Sequence, residues 1–149
     1  MKKKHSFLTK NIIIASDHAG FELKESIKKK LENLGLNILD LGVDNKKVSV
    51  DYPTYAKKLS KKINSKNMGI LICGSGIGMS IASNRFKNVR SALVNSSTLS
   101  KLSRKHNNAN IICLAARFVS KKMAIQCILS FLTTKFEAGR HLRRVKLLS

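Results

Sequence analysis

Five apolar runs of strand length, each followed by a stretch with helical periodicity, constrain the fold of this chain more than any other feature. Residues 11–16, 36–41, 68–73, 89–95 and 110–115 read as strands, and near-continuous apolar runs suit a parallel sheet covered on both faces. Between them, Leu23, Ile27, Leu31 and Leu34 share one face of a helix over 21–34, with Gly35 placed to stop it. Pro53 opens a second helix with Tyr52, Ala56, Leu59 and Ile63 on its buried side. A third helix follows the glycines after residue 73, and a fourth over 97–106 carries Leu99, Leu102 and His106 in line. Ser120 caps a fifth, which runs to about residue 136 with Met123, Cys127, Ile128 and Phe131 inward. This alternation predicts a three-layer α/β domain over 10–149 with a five-stranded parallel sheet. The basic segment 1–9 is expected to be a disordered extension. Ligands bind such sheets at the carboxyl ends of the strands, beside the point where strand order reverses. An order 2-1-3-4-5 would bring Asp17, His18 and Cys73 to one crevice.

The chemistry concentrates at the end of the third strand, in Cys73-Gly74-Ser75-Gly76-Ile77-Gly78. A strand that ends in such a loop and turns into a helix aims backbone N–H groups at one point, which favours an anion. A dinucleotide site needs its third glycine elsewhere and an acidic residue roughly 20 positions on, yet no carboxylate lies between Asp51 and Glu137. The Lys-Ser/Thr end of a P-loop is also missing. Cys73 by itself reads equally well as a small buried hydrophobe, as Cys113 and Cys127 do. At the mouth of convergent N–H groups, however, a thiol can serve as a base or nucleophile. His106 could be a core histidine; its neighbour Asn107 suggests a site instead. Arg140 and Arg144 share a helical face, a spacing suited to gripping one phosphate.

Net charge +21 raises the alternative of a basic nucleic-acid-binding module. The lysines fall where helices face solvent, and no helix-turn-helix, zinc-finger or aromatic ribonucleoprotein motif occurs, so a solvated surface is the expectation. Seven of the eight carboxylates precede residue 52, which leaves few ligands for a carboxylate-rich metal site. Three cysteines without paired spacing indicate neither a disulfide framework nor zinc and predict a reduced, cytoplasmic protein. No run is long enough to cross a bilayer, and residues 12–15 are too short for a signal peptide core.

Taken in order, the stretches 15–21 (ASDHAGF), 51–53 (DYP), 73–82 (CGSGIGMSIA), 106–110 (HNNAN) and 137–141 (EAGRH) resemble one family: the type B ribose-5-phosphate isomerases and the related galactose-6-phosphate isomerase subunits. The resemblance implies a Rossmann-like or flavodoxin-like domain. It also implies a homodimer or higher homo-oligomer with shared sites, and metal-free, cofactor-free isomerisation of a sugar phosphate. By the same resemblance Cys73 is the base, the family's alternative glutamate position being occupied by Met79. Ser75 assists it, and Gly74, Gly76, Ile77, Gly78 and Asn107 form the anion hole. Asp17 and His106 open the sugar ring, His106 reaching in from the partner, and Tyr52 lines the pocket. His18, Arg117, Arg140 and Arg144 bind phosphate, so that the tail 139–149 completes the site. Ribose 5-phosphate is the expected substrate, with a six-carbon sugar phosphate as the alternative. Neither membrane nor specific nucleic acid is expected as a partner. Ala116 and Ala138 stand where the family favours glycine; a positive φ at either would strain an alanine.

Overall fold

The computed structural model of the chain describes residues 5–148. Strands β1 (Asn11–Ser16), β2 (Asn37–Asp40), β3 (Met68–Cys73), β4 (Ser91–Leu93) and β5 (Ile111–Ala115) alternate with α1 (Phe21–Glu32), α2 (Tyr52–Ser60), α3 (Ile77–Ser83), α4 (Ser97–Asn107) and α5 (Lys121–Thr133), and α6 (Gly139–Lys146) closes the chain. All pairings are parallel. The twofold alternation of strand side chains builds two apolar layers. Ile12, Ile14, Ile70, Ile72, Ile112 and Leu114 face α1 and α5, whereas Ile13, Ala15, Leu71, Cys73, Ile111 and Cys113 face α2 and α3. The predicted three-layer α/β domain with a five-stranded parallel sheet is therefore present.

Strand order is β2-β1-β3-β5-β4, not 2-1-3-4-5. Every residue of β5 is buried, so it takes an inner position. The three residues of β4 are half-buried or exposed and suit an edge. There the side-chain amide of Asn84 accepts from Ser91 N–H at 2.8 Å and donates to its carbonyl at 2.9 Å, satisfying groups that an edge strand leaves open. The reversal between β1 and β3 stands as anticipated.

The N-terminal extension departs from the expected disorder over residues 5–9. Phe7 and Leu8 pack against the α1/α5 layer, Leu8 N–H donates to the Leu132 carbonyl at 2.9 Å, and Thr9 Oγ1 donates to the Lys66 carbonyl at 2.8 Å. Two apolar side chains within a basic segment suffice to anchor it. Residues 1–4 lie outside the described residues. Among the described residues, no helix is long and apolar enough to cross a membrane.

Helix α4 turns opposite to its sequence pattern. Its buried residues are Ser100, Ser103 and Arg104, while Leu99 and Leu102 remain 48% and 37% exposed. The Ser100 hydroxyl donates to the Cys127 carbonyl at 2.6 Å and the Ser103 hydroxyl to the Ser100 carbonyl at 2.8 Å. These small, satisfied side chains let α4 lie close on α5, which leaves its leucines facing outward. Tyr52 likewise is 40% exposed at the start of α2, although Ala56 and Leu59 are buried as expected.

Candidate active site

The three glycines of the loop after β3 have three different causes. Gly76 has φ +73°, and a Cβ there would lie 2.5 Å from Leu93 Cδ1, so only glycine fits. At Gly74 an added Cβ would meet the Arg117 guanidinium at 3.0 Å, and at Gly78 it would lie 2.6 Å from the Tyr52 ring. Missing side chains thus let Arg117 and Tyr52 close on the loop. Cys73, 4% exposed, ends β3 beneath it, and Gly76 N–H donates to its Sγ at 3.1 Å. Ser75 is half-buried at the loop's crest, where its Oγ accepts from Ile77 N–H at 3.4 Å. Met79 is wholly buried in the α2/α3 layer, so no titratable group stands at that position.

The end of β1 supplies the opposite wall. Asp17, 7% exposed, bonds through its backbone N–H to the Ile72 carbonyl on β3 at 3.2 Å. Its Oδ1 accepts from Gly20 N–H at 3.0 Å, which fixes the turn into α1. His18 Nδ1 accepts from Val50 N–H at 3.1 Å, a bond that leaves the proton on Nε2 as a fixed donor. Arg117 follows β5, its backbone N–H donating to the Gly74 carbonyl at 3.0 Å. Asp17, His18, Tyr52, the loop 73–78 and Arg117 therefore gather at the carboxyl end of the sheet.

His106, Asn107, Arg140 and Arg144 gather elsewhere. A βα unit runs its helix antiparallel to the strands, so the last turn of α4 lies at the level where β5 begins. Gly69 pairs with Ile111 at that level and Cys73 with Ala115 at the other end, a separation of roughly 13 Å along the strand. One chain thus keeps the two groups apart. His106, Asn107 and Arg144 line a cleft of about 310 Å³ together with His141 and Leu148.

His141 was not among the sequence candidates. Its ring stacks on His106 with centroids 4.2 Å apart and planes 13° from parallel, and its Nε2 lies 3.9 Å from Glu137 Oε2. Burial first, then the positive charges of His106, Arg140 and Arg144, holds its pKa below the ordinary value. The signal was available as Glu137 and His141 at i, i+4 beside Arg140. His106, Glu137 and His141 place one ligand atom each within 4.8 Å of one another. In stacked rings, however, the in-plane lone pairs run side by side rather than converge.

A second groove, about 510 Å³, opens beside Ser75 between Ile77, Leu93, Leu99 and Phe118. These four are exposed, Phe118 by 77%.

The sequence matches the family model described as Ribose/Galactose Isomerase over residues 12–148. Among solved structures, ribose 5-phosphate isomerase B from Anaplasma phagocytophilum superimposes with a TM-score of 0.94 at 44% identity, covering 97% of this chain and 99% of that one. The corresponding enzyme from Thermotoga maritima gives 0.90 at 46% identity, covering 93% and 96%. That from Mycoplasma genitalium, solved with bound ribulose-5-phosphate, gives 0.86 at 42% identity and covers 93% of each chain. With a family match over nearly its whole length and these glycines, this cysteine and this sheet reversal in place, the chain belongs to the ribose/galactose isomerase family and is a sugar-phosphate isomerase.

Proposed function

We propose that the chain interconverts ribose 5-phosphate and ribulose 5-phosphate, with Cys73 as the base. The observation that carries this reading is the sulfur of Cys73 set under a glycine loop at the β1/β3 reversal, with Gly76 N–H directed at it. In the open-chain aldose the thiolate takes the C2 proton, and the electron pair moves into the C1 carbonyl to give an enediolate. Cys73 returns the proton to C1 while the O2 proton is lost and O1 gains one, so the net change is a 1,2-shift. Loop N–H groups of residues 74–78 and Asn107 of the partner subunit stabilise the developing oxyanions, each such donor being worth about 10²–10³ in rate. Ser75 assists at C1, and Asp17 with His106 of the partner subunit opens the furanose ring.

The phosphate lies remote from the reacting carbons, held by the His18 Nε2–H and Arg117 of one chain and by the partner's Arg140 and the partner's Arg144. Binding energy there positions C1 and C2 against the sulfur. This reading includes a homodimer, and it is supported by the histidine and two arginines sitting at the opposite level of the sheet from Cys73 within one chain. The outward leucines of α4 and the groove of Ile77, Leu93 and Phe118 support a second copy on this face, with the tail 139–149 completing its neighbour's site. A base that works as a thiol belongs in a reducing compartment, which we take to be the cytoplasm. The test is kcat/KM for ribose 5-phosphate against allose 6-phosphate and galactose 6-phosphate. Ribose 5-phosphate should be preferred, and a 6-phosphate preferred by more than about tenfold, or roughly 1.4 kcal/mol in transition-state binding, overturns the assignment.

A further inference from the structure

At the end of the sheet opposite Cys73, a cavity of about 460 Å³ opens between Thr9, Asn64, Asn88, Arg90, Arg104 and Asn108. Arg104 is only 8% exposed. Its Nε donates to the Thr134 carbonyl at 3.2 Å, and its Nη1 donates to Asn108 Oδ1 at 2.9 Å and to the Ala109 carbonyl. Arg90 Nε donates to the Asn108 carbonyl at 3.0 Å. Two guanidiniums therefore converge on one residue, and that residue is a neutral amide. Among the described residues, no carboxylate pairs with either arginine.

With Arg104 buried and Arg90 half-buried, like charges held together and partly withdrawn from water are costly unless a negative group joins them. The strain registers on Arg104, whose guanidinium is pushed down to about 10 by burial and by neighbouring Arg90. The cavity's amides do not relieve it: Asn88 Nδ2 donates to the Ile63 carbonyl at 2.8 Å and Asn110 Nδ2 to the Asn88 carbonyl at 2.7 Å, both tying loops together. The Arg104 guanidinium lies 5.7 Å from the Phe131 ring centroid, but its Nη2 and both Nη atoms of Arg90 have no hydrogen-bond partner among the described residues, and the two side chains line open space.

We propose that this cavity binds a phosphate-class oxyanion between the two Nη groups of Arg90 and Nη2 of Arg104, at a site separate from the catalytic crevice. Planar forks offering several N–H donors match a tetrahedral oxyanion better than a single ammonium does. The oxyanion could come as free inorganic phosphate or as the phosphate of a small ester, and the cavity has room for either.

Isothermal titration of inorganic phosphate into the full chain tests the proposal, using Arg140→Ala/Arg144→Ala protein so that the proposed catalytic grip is weakened. Binding should persist there with a Kd of about 1 mM or tighter at low salt. Asn108 has φ 46° and ψ 42°, a conformation that aspartate adopts as readily as asparagine. Asn108→Asp therefore sets a carboxylate on Arg104 Nη1, in the residue whose backbone carbonyl holds Arg90, and it should weaken phosphate binding more than tenfold while raising Tm in phosphate-free buffer. Arg90→Gln, verified as folded by circular dichroism, should weaken binding by a similar factor. Glycerol 3-phosphate separates the sources: a Kd at least tenfold below that of inorganic phosphate assigns an esterified ligand, and equal values assign the free ion. No detectable heat with inorganic phosphate, or an affinity unchanged by both Asn108→Asp and Arg90→Gln, overturns the proposal.

Discussion

Cys73 and Cys113 face the same side of the sheet from neighbouring strands, yet their surroundings differ. Cys113 is wholly buried, 3.0 Å from the Ser91 hydroxyl, and burial pushes its thiol up to about 12. It stays protonated at any working pH. Cys73→Ala should lower kcat about 10³-fold while sparing phosphate affinity, because in the proposed mechanism the thiol acts on C1 and C2. Cys113→Ala should lose stability only. Steady-state kinetics on both variants checks the contrast, and turnover retained in Cys73→Ala would place the base elsewhere. Ala138 presents a backbone question that the sequence raised and the structure answers. It has φ 55°, so the alanine is strained, whereas Ala116 is not among the positive-φ residues. Ala138→Gly should therefore stabilise the protein by about 1 kcal/mol, read from the urea midpoint. Which alanine carried strain was invisible in the sequence, since φ depends on how α6 docks.

Helix α6 is the element on which pH should act. It packs on α4, with His141 stacked on His106 and Glu137 bonded to Lys105 at 3.0 Å. His106, Arg140, Arg144 and Glu137 face His141, and burial with the three positive groups depresses its pKa. The unfolded chain, with an ordinary histidine near 6.5, then binds the proton more tightly than the folded one. Stability is fully present above the unfolded value and declines as pH falls through about 6.5 toward the folded pKa. Glu137, lowered chiefly by its bond to Lys105, contributes only in a more acid window. Tm measured from about pH 8 to about pH 5.5 should fall, and His141→Gln should flatten that slope. An unchanged slope would assign the pH dependence to other groups.

At the scale of the whole molecule, the proposed division of the site between two copies of the chain makes complementation the decisive measurement. Cys73→Ala and His106→Ala proteins should each be inactive. When they are mixed, dissociated and reassociated at random, half the dimers are heterodimers, and each of these carries one intact site and one doubly damaged site. About a quarter of wild-type activity should return if subunits exchange freely and sites act independently. Full exchange, shown by native mass spectrometry, with no recovered activity would refute the shared site and leave the family membership untouched.

The sequence by itself determined the five strands, five of the six helices and the glycine loop at the end of β3, while α6 was legible only as the shared face of Arg140 and Arg144. Period-two and helical patterns are local, so all five strands were legible, as was the cap in which the Ser120 hydroxyl accepts from Met123 N–H at 3.1 Å. The glycines announced a loop. The scarcity of carboxylates after Asp51 argued against a dinucleotide site, and the cysteine base was implied by the family resemblance, with Met79 at the alternative glutamate position. Only the tertiary structure decided which elements meet. It set β5 inside β4 and turned the leucines of α4 outward, because serines pack more closely on α5. It also brought half-buried Arg90 and buried Arg104 together on Asn108, and stacked His141 on His106 at the far level of the sheet. These outcomes depend on long-range burial and on the charges that folding brings side by side, and neither has a period that a single chain displays.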